Sequence, residues 1–93
     1  MKRDKIISTI QEVLKKHGTQ EAYLFGSFAR KERVYHDIDI AIRPPKGKFS
    51  LLDLVHIENV LNERTGKKVE IITLRSIHPR LRPYITKDMV RVI

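Results

Sequence analysis

The stretch Ala22–Ile42, AYLFGSFARKERVYHDIDIAI, carries the strongest signals of fold in this chain. It begins with a short apolar run, Ala22–Phe25, and ends with Asp37–Ile42, where polar or small residues alternate with isoleucine. A short apolar run is typical of a buried strand, and strict alternation is typical of a strand with one buried face. Gly26 and Ser27 break the first run, so the sequence predicts two strands joined through a turn or a helix start.

The rest of the chain predicts two long helices, a third strand and a small tail. Apolar residues recur with helical spacing over 3–17 and over 51–64, and Ser50 is placed to cap the second of these helices. In the first strand, Tyr23 and Phe25 are expected to face the core. The shorter elements expected are a helix over 28–32 with Ser27 as its cap, a strand over 69–74, a helix over 80–87 and a strand over 90–93.

This order of elements predicts one α/β (α+β) domain over residues 1–93. Its small sheet would hold three or four strands and would be covered by helices on one side. The length leaves no room for a second domain. No apolar run approaches the ~18 residues of a membrane helix, so no membrane partner is expected. No continuous apolar stretch follows the basic N-terminus, so no signal peptide is expected and the cytoplasm is the predicted location.

The composition narrows the classes of site and partner. Because the chain has no cysteine, it can form neither disulfides nor thiolate metal sites. Its four histidines are far apart in sequence, without the short-spaced pairs of zinc sites. Nineteen basic against eleven acidic side chains give a net charge of +8. Such a surplus attracts polyanions, which include nucleic acids, nucleotides and acidic proteins.

The Gly26-Ser27 pair lies where a strand is expected to meet a helix. Glycine lets the backbone approach an anion closely, and helix-start amides with the Ser27 hydroxyl can cradle a phosphate. An ordinary turn contains the same residues, so this pair alone does not define a site.

Three carboxylates form the second candidate site. Asp37 and Asp39 are two residues apart on one predicted strand, so their side chains share a face about 6.5–7 Å apart. Neighbouring like charges repel, and a Mg²⁺ ion between them would relieve that repulsion; a solvent-exposed strand face is the alternative. Glu70 is the single acid of an apolar strand. If the two strands are neighbours, Glu70 would be the third carboxylate of a two-metal site.

The combination of these motifs resembles the minimal nucleotidyltransferases, which are small relatives of the polymerase β superfamily. The family motif is Gly-Ser-x-Ala-Arg, a short spacer, Asp-x-Asp and a third carboxylate on a later strand. The matching residues here are Gly26–Arg30, Asp37–Asp39 and Glu70. The resemblance covers nearly the whole chain, including the leading helix, and implies the polymerase β-like nucleotidyltransferase fold.

The resemblance also implies a role for each matched residue. Gly26 and Ser27 would hold the triphosphate of an incoming ATP. Asp37 and Asp39 would each ligate Mg²⁺, with two ions in the site. Glu70 would complete the metal site and assist the attacking hydroxyl.

Four positions leave a role open or depart from the family pattern. Arg30 would either contact phosphate or brace the acidic cluster from the helix. Lys31 replaces the glycine that commonly follows the motif arginine, and His36 replaces the serine that commonly precedes the first acid. Glu70 replaces an aspartate, and its longer side chain could weaken catalysis because Mg²⁺ is strict about ligand distance.

The implied partner is a HEPN-domain toxin. Family members of this size often sit beside such an RNase toxin and act as its antitoxin. The resemblance implies Mg²⁺-dependent transfer of AMP from ATP to a protein hydroxyl, expected to be a tyrosine of the toxin. A weak or inactive relative that neutralises its toxin by binding alone, and a small basic RNA-binding protein, are the alternatives. Leftover apolar surface on the stripe over residues 51–61 would suit a partner or a homodimer.

Overall fold

The computed structural model describes residues 1–35 and 37–93, so the expectations attached to His36 lie outside the described residues. The chain alternates helices and strands around one small sheet. In chain order the elements are α1 (Arg3–Lys16), β1 (Glu21–Phe25), α2 (Gly26–Ala29), β2 (Asp37–Arg43), α3 (Leu51–Thr65), β3 (Lys68–Thr73), a 3₁₀ turn (Leu74–Ser76), α4 (Arg82–Asp88) and β4 (Val90–Arg91).

The sheet has four strands in the order β3-β2-β1-β4. Strand β1 is antiparallel to both β2 and β4, whereas β2 and β3 are parallel. Two parallel strands that follow each other in the chain need a crossover connection, and helix α3 provides it. The sheet is therefore mixed, which confirms the expected α+β class and strand number.

The core lies on one face of the sheet. Strand β2 buries its three isoleucines completely, Ile38, Ile40 and Ile42. Asp37, which precedes Ile38, and Asp39, which lies between Ile38 and Ile40, are only half-buried. Helices α1 and α3 pack against each other and supply the other side of this core. Their buried apolar residues are Ile6, Ile10, Val13 and Leu14 of α1, and Ile57 and Leu61 of α3. The expected covering of one face by helices is thus confirmed.

The prediction that Tyr23 and Phe25 face the core is wrong. Both side chains are half-buried, and Ala22 and Leu24 are the fully buried residues of β1. Leu24 pairs with Ile40 across the antiparallel ladder, so both point to the helix-covered face. A period of two predicts that alternate residues share a face but does not say which set is buried.

The short helix α2 also differs from its prediction. It covers Gly26–Ala29 instead of residues 28–32, and Phe25 is its N-cap, without a side-chain cap hydrogen bond. Ser27 is therefore inside the helix and does not cap it. The helix starts earlier because the chain turns directly at the end of β1, at Gly26.

The other boundaries lie close to their predictions. Ser50 caps α3 in a capping box with Asp53, as expected, and Gly66 ends that helix in the left-handed conformation. Helix α4 begins at Arg82 rather than 80, with Pro83 in its first turn, where a missing N–H costs nothing. No helix within the described residues is both long and apolar enough to cross a bilayer.

Candidate active site

The sheet topology brings the three predicted carboxylates onto one face. Asp37 and Asp39 alternate with the buried isoleucines of β2, so they point away from the helices. Glu70 is the register partner of Asp39 in the parallel β3 strand. Register partners of adjacent strands project to the same side of a sheet. The expectation that the two strands are neighbours is therefore met, on the face opposite the core.

Gly26 connects the Gly-Ser motif to this acidic face. Phe25 is the register partner of Asp39 on the other side of β2, so the chain leaves β1 directly beside this carboxylate. Gly26 has φ +77°, and a Cβ added there would lie 2.5 Å from Asp39 Oδ2. Only glycine fits this position without displacing the carboxylate. The half-buried Ser27 follows immediately, at the start of α2.

The electrostatics of Asp39 reflect the crowding of negative charge. Burial raises the pKa of this carboxyl, the charges of Glu70 and Asp37 raise it further, and Arg30 partly opposes them. A raised carboxyl pKa means that the folded chain holds the proton more tightly than the unfolded chain does. The free energy of unfolding therefore falls as the pH rises from the pKa of Asp39 in the unfolded chain to its higher pKa in the folded chain. A bound cation would remove that cost.

The donor set of this face suits a hard divalent cation. Mg²⁺ prefers carboxylate oxygens, and Asp37 and Asp39 present them on adjacent same-face positions. Over residues 1–35 and 37–93, however, no three His, Cys, Asp or Glu side chains are already arranged as a metal-binding group. Glu70 Oε1 lies 3.4 Å from Lys68 Nζ, in an ion pair whose two side chains are about half exposed or more. Such an exposed pair is weak, so Glu70 can turn toward the aspartates at little cost.

Arg30 makes its direct contacts outside the acidic face. Its Nε donates to Glu32 and its Nη1 to Asp88, each at 2.6 Å. The second contact ties α2 to the end of α4, since Asp88 is the last residue of that helix. Asp88 was not among the predicted site residues. No local pattern could have indicated it, because 58 positions separate it from Arg30.

Lys31 adopts an unusual backbone conformation just after α2. Its φ is +61°, in the left-handed region that favours glycine. The Lys31 N–H donates to the Phe28 carbonyl and the Glu32 N–H to the Ser27 carbonyl. These two bonds form a Schellman motif, whose left-handed position is usually glycine. The family's preference for glycine here thus has a physical reason, and this chain departs from it at a cost in strain.

The sequence as a whole matches the family model described as "Nucleotidyltransferase domain" over residues 6–92. The chain therefore belongs to the nucleotidyltransferase-domain family, and it is a nucleotidyltransferase. A relative from Methanocaldococcus jannaschii, named "Putative protein adenylyltransferase MJ0435", is 43% identical over the full length of both chains. A second from the same organism, "Putative protein adenylyltransferase MJ1217", is 39% identical over 95% of this chain and 99% of its own.

Solved structures support the same class of fold. A structure described as a putative minimal nucleotidyltransferase superposes with a TM-score of 0.79 at 26% identity, covering 97% of this chain and 95% of its own. A Shewanella oneidensis complex of a tri-AMPylated HEPN toxin with its MNT antitoxin gives a TM-score of 0.78 over 99% of this chain and 72% of that one. A toxin–antitoxin structure with AMP-PNP gives 0.79 over 94% and 72%. At 20% and 21% identity, the last two show the fold alone.

Proposed function

We propose that this chain is a Mg²⁺-dependent adenylyltransferase that moves AMP from ATP to a hydroxyl of a partner protein. The observation that carries the proposal is the contact between the Gly26 turn and the Asp39 carboxylate. It brings the Gly-Ser motif to the face that holds Asp37 and Glu70. Relatives of matching length that are named protein adenylyltransferases support AMP as the group transferred.

The chemistry assigned to the site is a displacement at the α-phosphorus of ATP. The acceptor oxygen forms a bond to that phosphorus, the bond to the β-phosphate oxygen breaks, and pyrophosphate leaves. When bound, two Mg²⁺ ions would neutralise phosphate charge and favour ionisation of the attacking hydroxyl. Asp37 and Asp39 would hold the ions, and Glu70 would assist as the third carboxylate.

The remaining predicted residues would act on the nucleotide and on the helix beside it. Gly26 and Ser27 would hold the triphosphate, because the Gly26 backbone lies against the Asp39 carboxylate that would hold the metal. Arg30 would serve as a brace between α2 and α4, through Asp88, with its charge still felt at Asp39.

The proposed acceptor is a tyrosine of a HEPN toxin, with this chain as the antitoxin. Support comes from structural neighbours, one of which is described as an MNT antitoxin in complex with a tri-AMPylated HEPN toxin. The net charge of +8 suits an acidic partner surface as well as ATP. The half-exposed Glu70 leaves the acidic face open to an incoming side chain.

The proposal is tested by incubating the chain with a HEPN protein from the same genome, Mg²⁺ and α-³²P-labelled ATP. We expect label on the HEPN protein, on a tyrosine located by mass spectrometry. Asp39→Asn should lower the rate by about a thousandfold or more, because it removes charge from a metal ligand. Asp4→Asn makes the same chemical change at an exposed position of α1 and should leave the rate unchanged. Equal labelling by both variants would refute the proposed mechanism.

A second candidate, neutralisation of the toxin by binding alone, is favoured by two specific observations. Glu70 pairs with Lys68, and the described residues contain no preformed group of three metal ligands. If the chain neutralises its toxin by binding alone, Asp37→Asn should protect cells from the toxin as well as the unchanged chain does. If the chain acts by transferring AMP, Asp37→Asn should lose that protection although its complex with the toxin still forms in a pull-down.

A further inference from the structure

The edge strand β3 is fastened to helix α3 by side chains on the side away from β2. The Val69 N–H donates to Asn62 Oδ1 at 2.6 Å, and the Ile71 N–H donates to Glu58 Oε2 at 2.7 Å. Alternate N–H groups of an edge strand have no neighbouring strand to pair with. Two side chains of α3 therefore satisfy donors that would otherwise face solvent.

The spacing of the four residues makes this a two-point attachment. Glu58 and Asn62 are four positions apart, so they lie on the same face of α3, one turn from each other. Their targets, Val69 and Ile71, are the two residues that flank Glu70 in sequence. Both acceptor side chains are half-buried, and the two hydrogen bonds join residues that are 7 and 13 positions apart in the sequence.

We infer that Glu58 and Asn62 are positioning residues that hold Glu70 in register with Asp39. This inference rests on the proposed function, in which Glu70 is the third carboxylate. Edge strands fray because only one side is hydrogen-bonded, and fraying of β3 would carry Glu70 away from Asp39. The ion pair of Glu70 with the exposed Lys68 is too weak to hold the backbone in place. The amides on both sides of Glu70 are instead anchored from the core-facing helix.

The test measures Mn²⁺ affinity by calorimetry, with Mn²⁺ as the probe for the Mg²⁺ site. Glu58→Ala should weaken Mn²⁺ binding by about tenfold, the scale of losses for residues that orient metal ligands. Glu58→Gln keeps an oxygen acceptor for the Ile71 N–H and should bind Mn²⁺ like the unchanged chain. Glu63→Ala, an exposed acid of the same helix, is the matched control and should have no effect.

A double-mutant cycle shows whether Glu58 acts through Glu70. Glu70→Gln alone should also weaken Mn²⁺ binding, and adding Glu58→Ala to it should cause no further loss. Amide exchange of Ile71 should become faster in Glu58→Ala, which verifies that the bond has been removed.

Three results would overturn the inference. They are unchanged Mn²⁺ affinity in Glu58→Ala despite faster exchange at Ile71, unchanged affinity in Glu70→Gln, and an equal loss from Glu58→Ala in both backgrounds. The first and the third leave the proposed function intact, whereas the second also removes Glu70 from the proposed metal site. Failure of the proposed function has a different signature, because Mn²⁺ binding would then survive Asp39→Asn. In that case the positioning role would be refuted with it.

Discussion

At the scale of single residues, Gly26 is constrained twice by its surroundings. Its φ of +77° is strained for any residue with a Cβ, and a Cβ would also collide with Asp39 Oδ2. The first constraint concerns the backbone and affects stability. The second concerns a proposed metal ligand and affects function, so the two can be separated by a control at another left-handed glycine.

We predict that Gly26→Ala weakens Mg²⁺-dependent ATP binding more than its effect on stability explains. Displacement of the Asp39 carboxylate should lower ATP affinity by about tenfold or more, by analogy with disturbed metal ligands. Gly66→Ala is the control, because Gly66 has φ +69° and no heavy atom within 4 Å of an added Cβ. Both variants should lose about 1–2 kcal/mol of unfolding free energy. Equal ATP affinity in the two variants, measured by calorimetry, would contradict this role of Gly26.

Part of the candidate site can be predicted from the sequence at this scale, and part of it cannot. A two-residue spacing on a strand is enough to predict that Asp37 and Asp39 share a face. The expected position of Glu70 depends on which strands are neighbours, and the parallel pairing of β2 and β3 meets that condition. The ion pairs of Arg30 with Asp88 and of Glu70 with Lys68 depend on side-chain directions that no spacing encodes.

At the scale of elements, α2 and the turn after it bring the chain from the Gly-Ser motif to the acidic strand. The Schellman motif that ends α2 places Lys31 in the left-handed region. The same pair of bonds ends α1, where the left-handed position is Gly18 with φ +83°. The chain thus ends two helices in the same way, once with the usual residue and once with a strained one.

We predict that Lys31→Gly stabilises the chain by about 1 kcal/mol, because it removes left-handed strain. Urea unfolding monitored by circular dichroism measures the change. Lys31→Ala is the matched control: it removes the charged side chain but keeps the strain, so it should not be more stable than the unchanged chain. The prediction fails if the glycine variant gains no more than the alanine variant.

The elements themselves could be predicted because their signals are local. Helical spacing and caps define α1 and α3 to within one or two residues. The buried face of β1 was not predictable from its alternation, because a period of two does not distinguish Tyr23 and Phe25 from Ala22 and Leu24, which are the fully buried residues. The attachment of β3 to α3 through Asn62 could not be predicted, because a polar residue on a helix does not indicate its partner.

At the scale of the whole molecule, the sheet separates the hydrophobic core from the proposed site. Its helix-covered face holds the buried isoleucines, and its other face holds Asp37, Asp39 and Glu70. The chain carries a net charge of +8, so these three acids share one face of a protein with a surplus of basic side chains. Long-range attraction would bring ATP to the molecule, and a metal would be needed to hold its phosphates beside the carboxylates.

The most direct test is a calorimetric titration of ATP into the purified chain, with and without Mg²⁺, beside Asp39→Asn and the control Asp4→Asn. If the acidic face is a metal-dependent nucleotide site, ATP will bind the unchanged chain and the control only with Mg²⁺, and Asp39→Asn will not bind it in either condition. ATP binding that is independent of Mg²⁺ and unaffected by Asp39→Asn would contradict the assignment, and would attribute binding to the basic surface instead.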